Sequence, residues 1–88
     1  MEITKGDKVY YARALIPVDI FDLYDLKVRT VGDDWFTAYE DKSNQVFLFN
    51  EKDMGKTVFI NRKEALQNLN EKKKNRKKIY KETYYEEF

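Results

Sequence analysis

Residues 23–31 have the sequence LYDLKVRTV, in which side chains of two kinds alternate. The even-numbered positions, from Tyr24 to Thr30, are apolar or uncharged, and the odd-numbered positions between them are charged. A period of two is typical of a β-strand with one face against a core and the other in water. We therefore predict a strand over Leu23–Val31, followed by a turn at Gly32-Asp33-Asp34, where glycine and aspartate favour chain reversal.

Further strands are predicted on both sides of this segment. They are Asp7–Leu15, Trp35–Glu40, Gln45–Asn50 and Thr57–Ile60. Gln45–Asn50 is apolar at four consecutive positions, which predicts a central strand. Glu51–Lys56 is too short for a regular element and is predicted to form a single 3₁₀ turn.

Five short strands joined by hairpin-length turns favour a small antiparallel architecture. No stretch between the strands could hold the crossover helix that a parallel sheet requires. We therefore predict a mainly β fold, a five-stranded SH3-like antiparallel barrel over residues 1–60. Alternation places Phe36 and Phe47 inside it. The connection Ile16–Asp22 is rich in apolar residues, so it either folds onto the barrel or presents an apolar patch.

After residue 60 the pattern changes to that of a helix. Asn61 is followed three residues later by Glu64, which predicts a capping box with Asn as the N-cap. Ala65 and Leu69 then recur at helical spacing, and the following residues are polar on all sides. We predict a helix from residue 62 to about Lys78, packed on the barrel at its start. The basic helical region is placed at residues 61–79, and an acidic, aromatic tail at residues 80–88.

The sequence offers little for catalysis. It contains neither histidine nor cysteine, so the commonest general base, thiolate nucleophiles and the usual transition-metal ligands are missing. Gly55-Lys56-Thr57 lacks the upstream glycine of a phosphate-binding loop. The paired carboxylates at Asp33-Asp34 and Glu40-Asp41 fit turn geometry better than acid–base chemistry. We predict no enzyme, no catalytic residue, no metal and no cofactor.

The net charge of +1 conceals a separation of charge along the chain. Residues 1–60 hold 8 basic and 11 acidic side chains, a balance of −3, whereas residues 61–88 hold 9 and 5, a balance of +4. Within Lys72–Lys78, residues three and four apart share a helix face. That face is either simply solvated or neutralises the phosphates of a nucleic acid. The candidate nucleic-acid-binding residues are Lys73, Lys74, Arg76, Lys77 and Lys78.

Aromatic side chains make up 16% of the chain, and most are needed for the core of so small a domain. Trp35 and Tyr39 have the opposite parity from Phe36, which favours an exposed aromatic surface, with Tyr11 as a candidate neighbour at its rim. The acidic, aromatic tail is either a solubilising end or a motif for another protein's groove or sheet edge. The candidate protein-binding residues are Trp35, Tyr39, Tyr80, Tyr84, Tyr85 and Phe88.

Two segments resemble a known group of proteins. Lys5–Tyr11, KGDKVYY, is similar to the opening strand of small proteins from Gram-positive bacteria, their phages and their mobile elements. Met54–Leu66, MGKTVFINRKEAL, resembles their strand-into-helix segment. The resemblance implies an SH3-like barrel with a C-terminal helix. It implies no activity, because most members of the group have no assigned function.

These features predict a non-catalytic binding or accessory protein of the phage or mobile-element type that acts through protein–protein contacts. Two alternatives stay open: a nucleic-acid-binding module that uses Lys72–Lys78, and an inhibitor of a host nucleic-acid-processing or defence protein. The apolar connection Ile16–Phe21 and the tail also favour self-association. No apolar run approaches the ~18–20 residues that span a bilayer, and the start lacks a signal-peptide pattern. The sequence thus predicts a cytoplasmic protein with no membrane partner.

Overall fold

The computed structural model describes the backbone of residues 2–86 and the side chains of residues 2–75. This part of the chain is mainly β with a C-terminal helix, as predicted. The elements in chain order are β1 (Lys8–Leu15), a 3₁₀ helix (Ile16–Val18), β2 (Ile20–Val31), β3 (Trp35–Tyr39), β4 (Val46–Asn50), a second 3₁₀ helix (Glu51–Asp53), β5 (Val58–Phe59) and α1 (Arg62–Glu86).

All five strands form one antiparallel sheet in the order β4-β3-β2-β1-β5. β1 to β4 follow one another as a meander, and β5 returns to pair with β1 at Tyr10–Phe59 and Tyr11–Val58. β4 and β5 are the two edges and do not pair with each other. The sheet of the described strands is therefore open and is not closed into a barrel.

The inner face of the sheet encloses the main core. The sheet is strongly curled, because the ring of Tyr11 on β1 lies 5.4 Å from that of Phe47 on β4 although two strands separate them. Phe36 is fully buried at 0% exposure, whereas Phe47 is half-buried, so both occupy the face that alternation predicted. The buried members of this core are Ile3, Val9, Leu26, Val28, Phe36, Ala38, Phe49 and Val58.

The first turns of α1 cover part of the outer face. Ala65 and Leu69 are buried there against Ala12 of β1 and Phe59 of β5. Phe21, on the second strand of the β1–β2 hairpin, packs at the margin of this second core. Both faces of the β1–β2 hairpin are thus covered in part, one by the main core and one by the helix.

The helix begins where the sequence predicted and ends later. Asn61 Oδ1 accepts a hydrogen bond from the Lys63 N–H at 2.8 Å, which confirms Asn61 as the N-cap. The helix continues to Glu86, past the predicted end near Lys78, because residues 79–86 contain neither glycine nor proline to stop it. Residues 80–86 therefore have helical backbone. No helix among the described residues is both long and apolar enough to cross a membrane.

The connection between β1 and β2 is shorter than predicted. β2 begins at Ile20, and the register pairs Ala14 with Phe21 and Leu15 with Ile20. Asp19 turns the chain at a φ of 57°, in the left-handed region. The predicted loop over 16–22 is therefore confined to residues 16–19, because its last apolar residues pack as strand rather than as loop.

The position of β4 also differs from the prediction. Its four consecutive apolar residues indicated a central strand, but β4 lies at the edge of the sheet and pairs with β3 alone. Phe49 is buried, whereas Leu48 is 71% exposed and Val46 46% exposed. The apolar run therefore reflects one buried face and one exposed apolar face.

Candidate functional site

The outer face of β3 and β4 brings together two of the predicted protein-binding residues. Trp35 and Tyr39 alternate with the buried Phe36 and Ala38 and so point away from the core. Their cross-strand neighbours are Asn50 for Trp35 and Val46 for Tyr39. Because α1 packs on β1, β2 and β5, this part of the outer face is left uncovered by the described residues.

An open groove of about 680 Å³, which we name the Tyr39 groove, lies beside Tyr39. Its cations come from Lys5, Lys27 and Arg29, and Tyr39 and Val46 supply apolar surface. The volume falls within the ~300–1,000 Å³ that is usual for ligand sites. None of the described residues that line the groove is acidic. Its full lining is Lys5, Gly6, Lys27, Val28, Arg29, Tyr39, Asn44 and Val46.

A tight turn fixes one wall of the Tyr39 groove. The Thr4 N–H donates to Asp7 Oδ2 at 2.9 Å, and the Gly6 N–H donates to the Val28 carbonyl at 2.8 Å. Gly6 has a φ of 94°, which side-chain-bearing residues rarely adopt. These bonds hold the turn, and with it Lys5, against β2.

A β-bulge fixes the position of the arginine. Val28 pairs with Ala38 and Thr30 pairs with Thr37, so Arg29 is an extra residue with no opposite partner in β3. A bulge bends its strand and changes the direction of a side chain. Here it leaves Arg29 beside Lys27, on the side that the Tyr39 groove occupies.

A second groove, of about 460 Å³, also borders Tyr39 and differs in charge. Its basic residues Lys8, Lys27 and Lys42 are matched by acidic ones from β2 and the β3–β4 turn. Basic and acidic side chains are therefore equal in number in its lining, so the lining does not favour a ligand of either charge. The acidic residues in its lining are Asp25, Glu40 and Asp41.

The indole of Trp35 packs against Gly32 in the turn that precedes β3. The Gly32 N–H donates to the Trp35 carbonyl at 2.8 Å, and the indole lies where a Cβ on residue 32 would stand. Trp35 nevertheless keeps 39% of its surface exposed. At the first position of β3, Trp35 is therefore fixed by the turn and still presents exposed aromatic surface.

Three half-buried aromatic residues that pack against the main core form a separate cluster. Tyr11 stacks on Tyr24 with ring centroids 5.8 Å apart, and both approach Phe47 at 5.4 and 5.2 Å. The suggestion that Tyr11 joins Trp35 at a rim is wrong, because Tyr11 faces the inner side of the sheet. Sequence alternation could not reveal this, since it relates residues within a strand and not between strands.

Arg13 borders this inner cluster. Its Nη1 donates to the Tyr24 hydroxyl at 3.3 Å, and this hydrogen bond raises the pKa of Arg13 above the ordinary arginine value. The guanidinium stays charged at any physiological pH. Because the rings of the cluster pack on one another and on the main core, we assign the cluster to the core rather than to a binding surface.

The basic helix meets the hairpin through one of its predicted residues. The Lys73 Nζ lies 5.7 Å from the ring centroid of Phe21, a cation–π arrangement, while Lys73 and Lys74 both stay exposed. Lys73 thus shares the side of α1 that packs on the hairpin.

Several predicted residues fall outside the part of the chain that the structure describes. They are the side chains of Arg76, Lys77, Lys78, Tyr80, Tyr84 and Tyr85, and all of Phe88.

Among the described side chains, no cluster of three or more carboxylates could hold a metal ion.

The sequence analysis did not predict the Tyr39 groove, apart from Tyr39 itself. Its cations come from residue 5 and from β2, and only the turn at Gly6 and the bulge at Arg29 bring them together. The one local feature of the sequence that could have indicated the groove was Gly6, whose turn holds the neighbouring Lys5 in place.

Comparisons of the chain with protein-family models, with curated proteins and with solved structures found no match.

Proposed function

We propose that this chain is a non-catalytic accessory protein that binds an acidic segment of another protein in the Tyr39 groove. The observation that carries the proposal is that three cations line the groove together with Tyr39 and Val46, and that no carboxylate is among its described lining residues. A carboxylate-bearing segment would place its charges near Lys5, Lys27 and Arg29 and an apolar side chain against Tyr39. Arginine suits such a site because its planar group binds a carboxylate through two hydrogen bonds.

The fold supports a binding role of this kind. A sheet in the order β4-β3-β2-β1-β5, with a 3₁₀ helix before the last strand, supports placing the chain with open SH3-like folds. Such scaffolds present loops and strand faces without needing catalytic groups. The resemblance of Lys5–Tyr11 and Met54–Leu66 to proteins of phages and mobile elements favours that biological setting.

The test compares two double variants that remove the same charge from different places. Lys27→Gln with Arg29→Gln removes two cations from the Tyr39 groove, and Lys52→Gln with Lys56→Gln removes two exposed cations elsewhere. Each tagged protein is used to capture partners from cells that naturally make it, with and without nuclease. Captured proteins are identified by mass spectrometry.

We expect the wild type and the Lys52/Lys56 variant to capture the same protein, and the Lys27/Arg29 variant to lose it. Added salt should weaken capture, because the groove cations are exposed to solvent. Equal capture by both variants would place the binding site elsewhere. Release by nuclease would show that a nucleic acid, not a protein, occupies the surface.

A second candidate function, nucleic-acid binding by α1, is favoured by the exposed Lys73 and Lys74. Its test is fluorescence anisotropy of labelled single- and double-stranded oligonucleotides at low and physiological salt. We would compare the wild type with a Lys73→Ala, Arg76→Ala and Lys77→Ala triple variant. Salt-steep binding that the triple variant loses would assign the function to the helix. Flat traces for both proteins would exclude it.

A further inference from the structure

The free edge of β4 lacks the features that usually keep a sheet edge unpaired. Its sequence, VFLFN, contains no charge and no proline, and its pairing with β3 is free of bulges. Soluble proteins commonly protect an edge with charged residues, proline or a bulge, because unpaired backbone groups recruit another strand. With Leu48 71% and Val46 46% exposed, this edge also carries apolar side chains that a neighbour could cover.

The hydrogen bonds to β3 show which backbone groups of β4 face outwards. The Glu40 N–H donates to the Gln45 carbonyl at 3.0 Å, and the Glu51 N–H donates to the Asp34 carbonyl at 2.8 Å. In an antiparallel pair, bonded positions alternate along each strand. The odd-numbered residues of β4 therefore bond β3, and the even-numbered ones direct their N–H and C=O groups to the free edge.

The usable length of this edge is short and has a definite centre. At one end the Asn50 N–H already donates to Asp53 Oδ2 at 2.9 Å. At the other end Asn44, with a φ of 57°, belongs to the turn that precedes β4. The outward groups of Val46 and Leu48 lie between these limits, with Phe47 midway.

We propose that two copies of this chain associate through antiparallel pairing of their β4 edges, centred on Phe47. Val46 of each copy would lie opposite Leu48 of the other, with four backbone hydrogen bonds between the copies. The register brings each exposed valine against an exposed leucine, and the strand segment that pairs contains no charged residue. A second copy is the favoured occupant because the strand is its own complement about Phe47. The proposal uses the strand edge and does not depend on the groove cations.

Sedimentation equilibrium tests the association. Over about 1 µM to 1 mM, a range suited to small interfaces, we expect the wild-type mass to rise from 10.7 kDa towards twice that value. Leu48→Pro removes an outward N–H, a change that edge strands tolerate. It should weaken dimerisation about 30-fold, since two interchain hydrogen bonds are lost. Leu48→Val keeps the N–H and should still dimerise. A monomer at every wild-type concentration would refute the proposal.

Amide hydrogen exchange of the wild type provides a readout that does not depend on a variant's folding. The Val46 and Leu48 amides should exchange rapidly in dilute protein and become protected as concentration rises. The Phe47 and Phe49 amides, bonded to β3, should be protected throughout. A dimer in which the Val46 and Leu48 amides still exchange rapidly would overturn the edge pairing. A groove double variant, Lys27→Gln with Arg29→Gln, should dimerise normally, which separates this proposal from partner binding.

Discussion

The indole of Trp35 lies across the backbone of Gly32, so that Nε1 and Cε2 occupy the space a Cβ on residue 32 would need. The same two residues are joined by a hydrogen bond from the Gly32 N–H to the Trp35 carbonyl. The φ of Gly32 is not in the left-handed region, so close approach and not backbone freedom requires glycine here. The turn before β3 thereby sets the position of the only tryptophan.

Gly32→Ala should displace the indole without unfolding the protein. The added methyl group cannot share the space of the ring, so Trp35 must rotate towards solvent, at a cost of about 1–2 kcal/mol. We expect tryptophan emission to shift to longer wavelength and the urea midpoint to fall. Gly55→Ala is the control for the emission alone, because a Cβ there meets no atom within 4 Å, while its φ of 81° means that this variant also loses stability. It should leave the emission wavelength unchanged, and an unshifted spectrum in Gly32→Ala would contradict the packing.

Gly6→Ala tests the turn that builds the Tyr39 groove. A Cβ on residue 6 would meet no atom within 4 Å, so any cost must come from the φ of 94°. We expect a loss of roughly 1–2 kcal/mol in the free energy of unfolding, measured by urea denaturation. The neighbouring exposed change Lys5→Ala should alter stability by less than about 0.5 kcal/mol. Equal stability of Gly6→Ala and the wild type would show that the turn relaxes freely.

The sequence was sufficient for much of the fold and for one part of the candidate site. The sequence predicted all five strands, most clearly Leu23–Val31, whose buried face imposes a period of two, and Asn61 marked the helix start. The apolar run of β4 could not show that this strand lies at an edge. A central strand buried on both faces and an edge strand with one exposed apolar face can have the same apolar sequence. Tyr39 was found by parity. Arg29 was not, because its position depends on a bulge set by the pairing with β3.

The N-cap of α1 can be tested by two substitutions at one position. Asn61→Ala removes the oxygen that accepts from the Lys63 N–H and should destabilise the protein by about 1 kcal/mol. Asn61→Asp keeps an acceptor there, and its negative charge interacts favourably with the positive end of the helix dipole. Stability should therefore be preserved or slightly raised. Thermal unfolding followed by circular dichroism measures both. A similar loss in the two variants would mean that the side chain does not cap the helix.

Two leucines of α1, three residues apart, distinguish packing from helix propensity. Leu69 is buried against Ala12 and Phe59, whereas Leu66 is 42% exposed. Alanine is the better helix former, so any large loss on truncation must come from packing. Leu69→Ala should therefore cost about 2–5 kcal/mol, and Leu66→Ala within about 1 kcal/mol, measured by urea denaturation. If the two variants lost equal stability, α1 would not be docked on the outer face through Leu69, and the surface it covers would be open to a partner.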